Sequence, residues 1–181
     1  LLSDTGTESA KIVQALLQTV KGVFAGAVEA LNQLIAINPA NGQAYVNLGA
    51  AQEKLGNMDE AIAAYESAAA NGKEAEANKK LSTVFLKKAS AALKGGNAAE
   101  ALENAVKSND YVASANACKV AASASMKLGK PMDAINFYEK YLEVNPNAAD
   151  KSDILFTIAA TYQKAGNKAK AAEYYGKLTG D

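Results

Sequence analysis

Few side chains in this sequence are spaced for chemistry. Ser123 and Lys127 stand four residues apart, one helical turn, the arrangement in which an amine draws the proton from a serine nucleophile. Nothing written around them desolvates the lysine or supplies an oxyanion hole, so the pair reads as a solvated surface pair. The paired acids, Asp59 with Glu60 and Asp150 with Asp153, fall at helix starts, where a carboxylate complements the amide end of the helix dipole. Cys118 lies among Ala117, Val120 and Ala121 and reads as a small buried apolar residue; with one cysteine no intrachain disulfide forms. There is no histidine, the commonest general base and metal ligand. The sequence therefore assigns no catalytic residue, no metal and no cofactor, and reads as a protein that is not an enzyme.

What does recur is the phrase Lys-x-Gly-[Asn/Lys]. It occurs as Lys54-Leu55-Gly56-Asn57, Lys94-Gly95-Gly96-Asn97, Lys127-Leu128-Gly129-Lys130 and Lys164-Ala165-Gly166-Asn167, between alanine-rich stretches. The glycines are 40, 33 and 37 residues apart, and a fainter copy at Gly22 precedes them by 34. That period belongs to arrays of two-helix units, in which each unit buries its face against its neighbours. Glycine ends one helix in the left-handed conformation, and Asn57, Asn97 and Asn167 are placed to cap the next, with Glu60 and Glu100 completing capping boxes. Pro131 replaces that device in the fourth unit, at a first helical position. Seven residues before each glycine stand Ala15, Gly49, Ala89, Ala122 and Ala159, and five after it Ala27, Ala61, Ala101, Ala134 and Ala171, small contacts where two helices cross closely.

Composition agrees with helices. Apolar residues make up 49% of the chain and aromatics 7%, the excess being alanine. Lysine plus arginine equals aspartate plus glutamate at 19 each, so no net field draws the chain to nucleic acid or to an anionic membrane. Every basic residue is lysine, which removes bidentate guanidinium contacts. No apolar run is expected to reach the length of a membrane span, and membrane insertion is not expected.

Tyr45-x-x-Leu48-Gly49, Gly56, Ala61, Tyr65 and Ala68, together with Ala159-x-x-Tyr162, Gly166, Ala171 and Tyr175, resemble the tetratricopeptide repeat. The resemblance implies an all-α, right-handed superhelix of about five hairpins, one solenoid domain over residues 1–181 with units near 8–41, 42–73, 75–110, 112–148 and 150–181. The third unit is stretched by a long first helix after Gly72, which is expected to protrude. Lysine- and alanine-rich chains of this family look bacterial, and an exported location is slightly favoured over a cytoplasmic one.

Members of this family generally bind peptides or protein segments in a groove lined by first helices. A subset grips a chaperone's C-terminal carboxylate with lysine and asparagine on one first helix, asparagine on the next, and lysine and arginine on a third. On units one to three those places fall on Ile12, Leu16, Asn47, Leu86 and Ser90, where only Asn47 fits; on units two to four they fall on Val46, Ala50, Lys87, Lys119 and Ser123, where only Lys119 fits. The groove is instead read as apolar or small, lined by Ile12, Leu16, Val46, Ala50, Leu86, Val120, Phe156 and Ala160, with Asn47, Lys87 and Lys119 among it. Lys54, Lys94, Lys127 and Lys164 form a rim, read either as cations offsetting helix carbonyl ends or as an attraction for an acidic partner. The expected function is a non-catalytic scaffold holding a peptide or helical segment of a partner protein. A self-assembling structural module and a small-molecule or glycan-binding accessory domain are the alternatives. The sequence ends at Leu178-Thr179-Gly180-Asp181 without a capping helix, so Ile158, Tyr162, Tyr174 and Leu178 are expected to form an open face that closes in a homodimer.

Overall fold

Alanine favours helix and glycine stops it, and the chain folds accordingly. The structure is a computed structural model and describes residues 2–180, with side chains from residue 10 onward. Its elements are α1 (Leu2–Ile37), α2 (Gly42–Leu55), α3 (Met58–Ala68), α4 (Glu74–Lys94), α5 (Ala98–Tyr111), α6 (Ala115–Lys127), α7 (Pro131–Val144), α8 (Lys151–Lys164) and α9 (Lys168–Thr179). Among the described residues no strand occurs, and the fold is the all-α repeat that the glycine spacing implies. By contacts the chain divides into two compact units, one running through Val84 and one starting at Phe85, so α4 contributes to both.

In the first unit α2 packs on α1 and on α3, and in the second α6 and α7 pair, as do α8 and α9. Each turn after α2, α4, α6 and α8 places its glycine at positive φ, from 69° at Gly129 to 84° at Gly96, a region that a Cβ would strain. Asn97 and Asn167 then cap α5 and α9 through their side-chain oxygens, at 3.2 and 3.1 Å from the amides of Glu100 and Lys170. Asn57 does not cap α3. Its amide donates to Gln52 instead, 2.8 Å away, so the capping box expected with Glu60 does not form. Pro131 occupies the first turn of α7 as expected. The break before the stretched helix falls at Asn71 and Gly72, and α4 is 21 residues long against 14 for α2.

The small-residue code is the packing code. Gly49, Ala89, Ala122 and Ala159 on first helices are buried, and so are Ala61, Ala101, Ala134 and Ala171 on second helices. Close approach is absolute at Gly49, where an added Cβ would lie 2.5 Å from the Tyr65 ring. Cys118 is buried as its neighbours implied, its thiol donates to Asn109 at 3.6 Å, and burial pushes that thiol up from its ordinary range.

The code fails in the first repeat. The hairpin expected over 8–41 is instead a single helix, α1, of 36 residues that passes straight through Gly22. Gly22 is absent from the positive-φ positions. Glycine permits a turn without compelling one. Ala15 is consequently exposed, whereas Phe24, Ala27, Val28, Leu31 and Ile35 are partly covered on the side that meets α2.

The expectation about apolar runs is also corrected. The stretch Ala10–Ile37 is long and apolar enough to cross a membrane by length and composition, although near the N-terminus and not buried. Its charges, Lys11, Lys21 and Glu29, interrupt the apolar runs without lowering the average enough to exclude a span.

Candidate functional site

Helix periodicity brings residues four apart to one face. On α8 this aligns Phe156, Ala160 and Lys164; opposite them stand Met126 at the end of α6, Gly129 in the turn and Pro131 at the start of α7. Together with Thr157, Thr161 and Ala165 they enclose a cleft of about 660 Å³. Phe156 is 55% exposed, an unusual position for a phenylalanine, and it is steadied by an edge contact with Tyr175 at 5.8 Å between ring centres. A second cleft of about 380 Å³ lies between α4 and α6 and is lined by Leu86, Ser90, Leu93, Asn116, Lys119, Val120 and Ser123.

Charge at the larger cleft has one sign. Lys164 lines it, Lys127 and Lys130 adjoin Met126 and Pro131 in sequence, and no acidic residue lines it. All three are exposed, and none has an ion pair or side-chain hydrogen bond among the described residues. Lys127 and Lys164, like Lys54 and Lys94, sit in the last turn of a first helix, where a cation also offsets the carbonyl end.

Lys119 behaves differently. Its ammonium pairs with Asp150, whose other oxygen accepts the Tyr141 hydroxyl at 2.5 Å, and it lies 5.4 Å from the centre of the Tyr141 ring. Asp150 stands at the start of α8, where it was expected to complement the helix dipole, and its carboxylate also ties α6 to α7. The hydrogen bond from Lys119, seconded by Tyr141, holds the Asp150 carboxyl below the usual carboxylate range, and the same bond raises the lysine. A depressed carboxyl stabilises the fold above its unfolded-state pKa, and that contribution disappears as pH falls through the folded value. Acidification from about pH 6 to about pH 3 is expected to lower the melting temperature more steeply in the native chain than in Asp150→Asn, with parallel slopes refuting the assignment.

The groove expected from sequence is thus only partly assembled. Leu86, Lys119 and Val120 meet in the smaller cleft, and Phe156 and Ala160 in the larger. Lys87 is exposed and lines neither. Ile12 and Leu16 lie in the N-terminal half of α1, exposed, and line neither cleft. Val46 is buried at 4% exposure, because α2 turns that face inward, so it lines no surface; Asn47, one step round the helix, is exposed and accepts from Gln43 at 3.3 Å, and Ala50 is half-buried. Met126, Pro131, Thr157 and Thr161 escaped the sequence reading. Their signal is faint, since a turn and a helix end supply part of the wall where offsets along first helices point elsewhere.

The open C-terminal face is not there. Ile158, Tyr162 and Tyr174 are buried and Leu178 packs against the same cluster. The Tyr162 and Tyr174 ring centres are 5.7 Å apart, and the Tyr174 hydroxyl donates to Glu139 of α7. The last hairpin folds back on itself and on α7, so these four residues offer no dimer face.

Comparison with known proteins places this geometry. Three profiles described as tetratricopeptide repeat match residues 13–76, 115–148 and 153–181. No curated protein matches the sequence. Among solved structures, a MamA from AMB-1 is 19% identical with TM-score 0.50, covering 90% of this chain and 85% of that one. Another MamA structure is 20% identical with TM-score 0.49, covering 95% and 91%. YrrB, described as a TPR protein with an unusual peptide-binding site, is 19% identical with TM-score 0.47, covering 91% and 80%. At these identities the first likeness is one of fold alone. The repeat matches, the positive-φ glycines and the buried small-residue crossings together establish that the chain belongs to the tetratricopeptide repeat family.

Proposed function

We propose that the chain is a protein-interaction scaffold whose second unit seats a bulky apolar side chain of a partner segment in the cleft beside Phe156, with acidic residues of that segment meeting Lys127, Lys130 and Lys164. The half-exposed phenylalanine in a cleft of about 660 Å³ carries the reading. Water-exposed aromatic surface in a concavity gains from burial under an apolar anchor, and anchors of this kind dominate interface energetics. The unpaired lysines add attraction and on-rate more than affinity, and salt screens them over about 8–10 Å.

Synthetic peptides with one leucine or phenylalanine flanked by three acidic residues, followed by fluorescence anisotropy, provide the test. Phe156→Glu should weaken binding by tenfold or more, which is about 1.4 kcal/mol or above, while leaving the melting temperature within a few degrees. Replacing the three lysines with glutamine should flatten the salt dependence. Unchanged affinity in a folded Phe156→Glu protein refutes the reading.

A further inference from the structure

Helix α1 carries an exposed stripe, running from Ile12 to Ile37, that nothing in the described chain covers. Its members advance by three or four residues at a time, averaging close to the 3.6 of a straight helix, so the stripe stays on one side for the whole length, about 39 Å. It lies beside the face that meets α2, and its large members Ile12, Val23, Leu34 and Ile37 are 56%, 65%, 41% and 83% exposed.

We propose that this stripe pairs with the same stripe of a second copy, antiparallel, about a two-fold axis between Val23 and Gly26. The order of residues is what selects that occupant. Turned end for end about that axis, the stripe sets Ile12 against Ile37, Ala15 against Leu34, Thr19 against Ala30 and Val23 against Gly26. Large residues meet small ones at the centre and isoleucines close both ends, the self-complementarity that an isologous contact requires. The Thr19 hydroxyl is already satisfied by the Ala15 carbonyl at 2.9 Å, so it needs no partner from across the contact.

Two further observations agree. Gly22 and Gly26 weaken the helix they sit in, take no positive φ, and face open space, since a Cβ at either would meet nothing within 4 Å. A second backbone passing closely gives both glycines a purpose that their own chain does not. Lys11, Gln14, Gln18, Lys21, Glu29 and Asn32 run along the other side of α1 for most of its length. Helix pairing leaves that polar side in water, whereas a bilayer span would carry it into hydrocarbon.

Sedimentation equilibrium of the full chain should show a twofold mass rising with concentration. Gly22→Leu with Gly26→Leu should return it to monomer with helical content undiminished, because both side chains enter open space in the single copy. In a Cys118→Ala background, Ala15→Cys with Leu34→Cys should oxidise to a covalent dimer linked between positions 15 and 34. Those two sites are about 28 Å apart along one helix and cannot join within a chain. A monomer at all concentrations, a dimer indifferent to the leucines, or a link between position 15 and its own copy overturns the proposal. So does partition of α1 into phosphatidylcholine vesicles without a dimer in buffer, which assigns the helix to a bilayer.

Discussion

Gly49→Val is expected to destabilise the first unit by about 2–3 kcal/mol, the upper range for forcing atoms into a packed core. The added Cβ would sit 2.5, 2.7 and 2.8 Å from three atoms of the Tyr65 ring, well inside contact distance. The ring has nowhere to go. Tyr65 is fully buried, and its hydroxyl is tied to Glu53 at 2.5 Å; burial first, and then that carboxylate, push the phenol far above its ordinary range. Valine regains some of the helix propensity that glycine lacks, a few tenths of a kcal/mol, too little to offset the overlap. Urea unfolding of a double-mutant cycle with Tyr65→Ala provides the check. Alone, Tyr65→Ala should cost about 3–5 kcal/mol; in its background the valine should cost at least 1 kcal/mol less than in the native chain. Strict additivity would show that the ring is not what the valine meets.

Ile158→Ala is expected to cost about 2–5 kcal/mol, the range for emptying a packed aliphatic site, and to leave the oligomeric state unchanged. Its side chain is 0% exposed within the cluster that also holds Leu155, Tyr162, Ala171 and Tyr174. Were this an open docking face, truncation would weaken self-association and spare stability. The structure reverses that expectation. Leu178, only half-buried at the edge of the cluster, should tolerate alanine at a smaller cost. Thermal melts with sedimentation of both variants separate the two accounts, and a stable Ile158→Ala protein of altered mass would restore the open face.

Local chemistry alone determined the helices, the four glycine turns and the small-residue crossings. The left-handed φ at Gly56, Gly96, Gly129 and Gly166 is a single-residue preference, and the buried alanines repeat at offsets that depend only on 3.6-residue periodicity. Tertiary contacts decided the rest. Gly22 carries the same residue type as the working turns, yet the helix runs on and packs against α2 through Phe24, Ala27 and Leu31, at only the modest propensity cost of a glycine inside a helix. Val46 and Asn47 are neighbours in sequence, and which of them faces water was fixed by where α1 and α3 pack against α2. The face of Ile158 and Tyr174 looked open along the sequence and was closed by α7, through Glu139, 35 residues before the tyrosine it binds. Spacing sets which side chains share a helix face; what that face meets depends on contacts between residues distant in the chain, and those are settled only by packing.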